Sequence, residues 1–143
     1  MKVYISNDHR GAGLKVYLQS MLVADGCDVE NLGTDNPDVP VDFPKIAKLV
    51  ADRLLDDKDA RGIIICGTGA GAVIAANRFR HIRATRCDRP EQAVADRFHD
   101  DVNVLALAAD DCDMEQAFLT AQAFLASPFD AIDRRIRRIK EIS

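Results

Sequence analysis

The sequence predicts an α/β domain in which a five-stranded parallel sheet lies between two layers of helices. Three observations predict it. Short β-branched runs alternate with amphipathic stretches of helical length along the whole chain. The connections are short and carry Gly, Asn, Asp or Pro at their ends. The stretch "GIIIC", Gly62 to Cys66, is apolar throughout, as a strand covered on both faces should be. The order βαβαβαβαβα with short loops calls for a Rossmann-like three-layer sandwich.

Each element has its own signal. "KVYIS", Lys2 to Ser6, reads as the first strand. From Ala12 to Gly26, Leu14, Tyr17, Leu18, Met21 and Leu22 recur at helical spacing, and Gly26 stops the run. "CDVENLG" is a short strand ending in a glycine. Asn36, Pro37 and Pro40 mark a loop. Pro44 suits the first turn of a helix through Leu55, with Ile46, Leu49, Val50 and Leu54 as its apolar stripe. After the "GIIIC" strand, "GAVIAANRF" starts a helix at Gly71. "IRATRC", Ile82 to Cys87, is a strand, and Pro90 opens a helix through Phe98. "NVLALA", Asn103 to Ala108, is the last strand. Ala109 to Ala126 is predicted helical, and Pro128 ends it. A final helix, Ala131 to Ile142, is basic and lies outside the alternation. It has few apolar residues to hold it on its own domain, so it is expected to pack on another subunit.

The 143 residues fit one domain with a real core. Composition is that of a globular protein, 48% hydrophobic and 29% charged. A formal net charge of -4 argues against nucleic acid as the main partner. The apolar runs are too short to span a bilayer, and the N-terminus enters a strand pattern without a signal-peptide core. The cysteines, Cys27, Cys66, Cys87 and Cys112, form no C-x-x-C pair and no zinc-spaced cluster, so no metal is expected. Reduced thiols in a cytoplasmic protein are the simplest reading.

Chemistry concentrates after the third strand, in "IIICGTGAGAVIAAN". The turn lacks the Lys-Ser/Thr ending of a P-loop and has G-x-G-x-G rather than a dinucleotide fingerprint. Successive glycines can aim several backbone N–H groups at one point, and a helix N-terminus adds positive potential. Two readings stand: an anion site, or close packing of strand on helix. Cys66 at the strand end is likewise either a core thiol or a base or nucleophile beneath that helix. The other three cysteines read as structural. In open α/β sheets, ligands sit beyond the carboxyl ends of the strands, where Asp8 and His9 follow the first strand. His9 and His99 are expected at the edge that holds Cys66, where imidazoles suit proton transfer or anion binding. His81 reads as a solvent-facing loop residue. Arg134 and Arg138, at i and i+4, share a helix face, either solvated or a phosphate clamp.

These pieces, in this order, resemble the type B ribose-5-phosphate isomerases and their galactose-6-phosphate isomerase relatives. The resemblance rests on "NDHRGAGLK", "NLGT", "VDFP", "IIICGTGAGAVIAANR", "IRA", "HDDVNVLA" and the closing Arg-x-x-x-Arg, and spans essentially the whole chain. It implies aldose–ketose isomerisation of a sugar phosphate through a cis-enediolate, without metal or cofactor. Ribose 5-phosphate to ribulose 5-phosphate, a step of the pentose phosphate pathway, comes first. The resemblance implies Cys66 as the base and the turn Gly67, Thr68, Gly69, Ala70 and Gly71 as the hole for the enediolate oxygen. It places Thr68 and Asp8 near sugar oxygens, His99 at ring opening with Asp100 beside it, and His9, Arg134 and Arg138 on the phosphate. It also implies a homodimer or homotetramer whose active sites draw on two subunits.

Three residues depart from the family pattern. Asp100 stands for an Asn, Phe43 for a Tyr, and Asp110 for an Arg that helps hold phosphate. A carboxylate at Asp110 repels phosphate unless it points away or pairs with an arginine, for which Arg135 and Arg137 are the candidates; Arg135 and Arg138 are also an alternative, i,i+3 clamp. All three departures lie in the substrate pocket, so the base and the anion hole stand while the sugar is open, with four- and six-carbon phosphates as alternatives. Other classes are a non-catalytic sugar-phosphate binder, one subunit of a hetero-oligomeric isomerase, and a nucleotide-binding domain.

Overall fold

The computed structural model describes residues 1–143. The strands are β1 (Lys2–Asn7), β2 (Asp28–Asn31), β3 (Arg61–Cys66), β4 (Ala84–Arg86) and β5 (Val104–Ala108). The helices are α1 (Ala12–Ala24), α2 (Phe43–Asp56), α3 (Ala70–Ala76), α4 (Pro90–Asp100), α5 (Met114–Ala126) and α6 (Asp133–Ile142). A single 3-10 turn, His9–Gly11, joins β1 to α1. All strand pairs are parallel, in the order β2-β1-β3-β5-β4.

Alternation within β3 explains the layers. Ile63 and Ile65 enter one core with residues of α1, α4 and α5. Ile64 and Cys66 enter the other, with residues of α2 and α3. The central strand therefore buries both faces, which is why its sequence shows no polar alternation. β1 and β3 are neighbours, but the chain leaves them toward opposite faces, through α1 and through α3. Such a reversal opens a crevice beyond the strand ends.

Local chemistry sets the boundaries. Gly26 adopts φ +88° just past α1, a left-handed conformation that glycine takes without cost. Pro44 lies in the first turn of α2. α3 ends at Ala76, and Asn77 leaves it to pair like a strand residue: its Oδ1 accepts from Ala84 N at 2.8 Å and its Nδ2 donates to Ala84 O at 2.9 Å.

The helix expected from Ala109 begins only at Met114, capped by Asp113, whose carboxylate accepts from Gln116 N at 2.8 Å. Of the five residues before it, the first two continue the pairing with the end of β3, and Asp111 and Cys112 turn back on Ala108 O. Ala109 N donates to Cys66 O at 2.9 Å and Asp110 N to Gly67 O at 3.0 Å. The strand expected over Ile82–Cys87 is confined to Ala84–Arg86, because the Arg83 N–H is taken by the Asn103 side chain at 2.8 Å. His81, expected to face solvent, is half-buried, with Nε2 2.8 Å from Ala51 O and its ring edge-on to Phe79. α6 packs on α4, held by Arg135 over the Phe98 ring rather than by an apolar stripe.

Gly33 gives the "NLGT" stretch its reason. A Cβ there would sit 1.9 Å from Asn7 Oδ1 and 2.7 Å from Asn7 N. Asn7, fully buried, uses its Nδ2 to join Asp8 O at 2.8 Å to Thr34 O at 2.9 Å. Gly33→Ala should therefore lose about 2–3 kcal/mol of stability through overpacking. Gly13→Ala, with open space around its Cβ position, should gain about 0.5 kcal/mol from helix propensity. Urea unfolding midpoints check both.

Candidate active site

The end of β3 is fixed from both sides. Asp8 N donates to Ile65 O at 3.0 Å from the β1 side, and Ala109 N holds Cys66 O from the β5 side. The Cys66 side chain is 4% exposed, and Gly69 N donates to its Sγ at 3.1 Å. That bond folds Gly67–Gly69 back over the sulfur, and Gly69 takes φ +79° to do so. Thr68 and Ala70 face solvent on this turn. Gly71 opens toward the Phe43 ring, which would lie 3.0 Å from a Cβ at that position. Phe43 thus seats the start of α2 against the start of α3.

Beside the turn, Asp8 is buried and its Oδ1 accepts from Arg10 N at 3.0 Å and Gly11 N at 3.1 Å. His9 Nδ1 accepts from Val41 N at 3.2 Å, which leaves Nε2 as its free donor. The loop carrying Val41 is itself tied down by an ion pair between the buried Lys15 and Asp35. Burial pushes the Lys15 amine below its usual value.

Two arginines that the sequence motifs did not single out flank the glycine turn. Arg10 pairs with Asp110 at 2.5 Å, and both lie against Gly67. Arg86 donates to Thr68 O at 2.6 Å and pairs with Asp88 at 2.9 Å and Asp111 at 3.1 Å. Asp88 first, with Asp111, holds Arg86 above its ordinary value. Asp110 thus finds an arginine, but it is Arg10 rather than Arg135 or Arg137. Only its position inside "NDHRG" hinted at this. Cys87 is a core thiol, pushed up to about 12 by burial first and then Asp96; Cys27 and Cys112 are half-buried against the core, and burial raises them too. No three His, Cys, Asp or Glu side chains group to hold a metal ion.

The expected convergence of His9 and His99 on Cys66 fails within one chain. α4 starts beyond the carboxyl end of β4, runs back across the sheet and ends at Asp100. Three residues after that helix ends, Asn103 pairs with Arg83 at the start of the neighbouring strands. Val104 pairs with Gly62 and Ala108 with Cys66, so His99 lies at the opposite edge of the sheet. The four residue steps from Val104 to Ala108 along β5 alone separate the edges by about 13 Å. Arg134 and Arg138, on α6 beside α4, go with His99. Both are exposed and make no ion pair within the chain, as is Asp100. Arg135 is buried against His99, which removes the alternative i,i+3 clamp, and Arg137 reaches toward Glu141 at 3.8 Å.

The comparisons with known proteins now bear on this arrangement. The model of the family described as Ribose/Galactose Isomerase matches residues 3–142. The chain belongs to the ribose/galactose isomerase family. Ribose-5-phosphate isomerase B of Escherichia coli is 35% identical over 142 residues, covering 99% of this chain and 94% of that protein. The 4-deoxy-4-sulfo-D-erythrose isomerase of a Clostridium species is 33% identical, over 84% of this chain and 79% of its own. The crystal structure of a ribose 5-phosphate isomerase from Thermotoga maritima superposes with a TM-score of 0.94 at 40% identity, covering 99% of this chain and 96% of its own. The expected enzyme class, an aldose–ketose isomerase acting on a sugar phosphate, holds at the level of the ribose/galactose isomerase family, as does the three-layer fold. No helix is long and apolar enough to cross a membrane.

Asp101 is the residue of the "HDD" stretch whose part is structural. It closes α4 at φ +47°, the one positive φ outside glycine. Arg83 and the 3%-exposed Arg97 each bind its carboxylate at 2.8 Å. Asp101→Ala should cost at least about 2 kcal/mol, because Arg97 keeps its buried charge without a carboxylate. Asp101→Gly, which relieves the backbone, should recover only part of that loss. Thermal unfolding of the pair separates the two contributions.

Proposed function

We propose that the protein interconverts ribose 5-phosphate and ribulose 5-phosphate, with Cys66 as the base. The observation that carries this reading is the strand-end thiol, gripped by Gly69 N–H under the turn Gly67–Gly71, three of whose five residues are glycines. In the open-chain aldose, Sγ takes the proton from C2. The electron pair moves toward the carbonyl and gives a cis-enediolate. Negative charge on its oxygen meets the N–H groups of Gly67, Thr68, Ala70 and Gly71, which are set before the reaction and need no reorganisation, while Gly69 N–H stays on the sulfur. A proton passes from O2 to O1 of the enediolate, and the same sulfur returns its proton to C1 as the C2 carbonyl forms, which yields the ketose. Thr68 and Asp8 lie where they can hold sugar hydroxyls. His9 offers its Nε2 donor to the phosphate, and no redox step enters.

A second copy of the chain completes the site. His99, Asp100, Arg134 and Arg138 lie at the far edge, so their assigned roles in ring opening and phosphate binding are met across an interface. Their exposure suits that role, as does the apolar patch of Phe43, Ile74 and Phe79 beside the turn. One domain, Met1 to Ser143, in a homodimer or homotetramer is the arrangement this requires.

A second reading follows from the Arg10–Asp110 pair, which narrows the space over Gly67. It favours a shorter sugar with an anionic tail, as in the name of the sulfoerythrose relative.

Purified protein assayed against aldose and ketose phosphates of four to six carbons, and against the sulfonated tetrose, should show turnover with incorporation of solvent deuterium. Turnover of none of them would end both readings. Cys66→Ala should lower kcat roughly 1,000-fold. Mixing Cys66→Ala with His99→Asn subunits should restore about a quarter of wild-type activity, since half the dimers are mixed and each holds one intact site. Sites complete within one chain would regain nothing.

A further inference from the structure

We infer that Arg135 is a positioning residue for His99, holding its imidazole in the Nε2–H tautomer so that it meets substrate as a hydrogen-bond donor. The inference rests on the role proposed for His99. Among the four arginines of α6, Arg135 alone is buried, at 7% exposure. Its Nη2 lies 2.6 Å from His99 Nδ1, and its Nη1 pairs with the Asp130 carboxylate. Its guanidinium carbon stands 4.8 Å above the Phe98 ring, which meets the His99 ring edge-on at 5.2 Å and 89°. Asp130 N donates to Phe98 O at 3.1 Å, so the loop, α4 and α6 form a closed circuit around the imidazole.

The donor inventory decides the tautomer. A guanidinium has five N–H donors and no acceptor. The short contact to Nδ1 therefore uses the imidazole lone pair, and the ring proton sits on Nε2. A ring fixed this way donates from Nε2 and cannot accept a proton there, which makes His99 an electrophile toward a sugar oxygen rather than a base. The neutralising pair with Asp130 and the aromatic face of Phe98 keep Arg135 from swinging away. The same anchorage fixes the rotation of α6, so that Arg134 and Arg138 stand clear of α4.

The primary test needs no loss of function. Nitrogen-15 spectra of the wild-type histidine rings, with His99 assigned from the signals missing in His99→Asn, should show Nε2 protonated and Nδ1 bare. A protonated Nδ1 or a mixture of tautomers would overturn the inference. Arg135→Met keeps the aliphatic packing and removes the donors. It should release the tautomer and lower kcat roughly 10- to 100-fold with KM within about twofold. In the His99→Asn background the same substitution should cost nothing further in kcat, whereas a merely structural arginine would cost the same in both. If Arg135→Met does not fold, the wild-type tautomer alone decides. Because the spectra do not depend on turnover, a protein without isomerase activity would end the proposed function and leave the tautomer result standing.

Discussion

The double pairing of β3, with β1 on one side and β5 on the other, is the constraint on which the rest of the structure depends. It requires an apolar run from Gly62 to Cys66, since both faces are covered there. It also fixes the last residues of that strand by backbone bonds from both neighbours, Asp8 to Ile65 and Ala109 to Cys66. A thiol placed there has little freedom, and a glycine turn beyond it can fold back without side chains in the way. Gly11 shows how tight this approach is: a Cβ there would lie 2.6 Å from Ile65 Cγ2. The chemistry of the turn thus follows from the packing of the sheet rather than from the turn alone.

The same topology divides the candidate residues between two edges. Every helix of a parallel sheet must carry the chain back, so residues at helix ends lie opposite residues at strand ends. Cys66, Asp8 and His9 follow strands. His99 and Asp100 end a helix, and α6 continues from that same edge. A sheet of this kind cannot bring the two groups together within one chain unless it deforms. Association is then a geometric requirement of the proposed chemistry.

Much of this was legible in the residues. Periodicity and punctuation located all five strands and six helices, since each buried face needs its period and each turn its glycine, proline or cap. The glycine turn was legible from three glycines in the five residues after Cys66, of which Gly69 takes the left-handed conformation. The direction of α4 was also implicit, yet the expectation of His99 at the edge that holds Cys66 overlooked it. Asp101 and Asp100 look alike in sequence, and only the approach of Arg83 and Arg97 from distant positions separates them. The stretch from Ala109 to Asp113 is joined in sequence to a helical run, but its first N–H groups bond to the carbonyls of Cys66 and Gly67. Long-range partners decided each of these cases, and no local pattern encodes them.

The arginines show how one residue type serves opposite ends. Arg97 and Arg135 are buried, and each has a carboxylate that could be removed only by leaving a desolvated charge. Such pairs hold α4 and α6 in place and do not exchange partners. Arg10 and Arg86 are more exposed, and surface pairs of this kind contribute only about 0–1 kcal/mol. An incoming dianion can compete for them at little cost to the fold. Arg134 and Arg138 hold no partner at all, so their full charge is available across an interface. The gradient runs from structural cations, through exchangeable ones at the glycine turn, to free ones at the far edge. Two copies facing each other would bring the free cations of one against the loosely paired cations of the other. That juxtaposition is unfavourable while the site is empty, and an anionic substrate relieves it. In the proposed assembly, association and substrate binding would be coupled through the same charges.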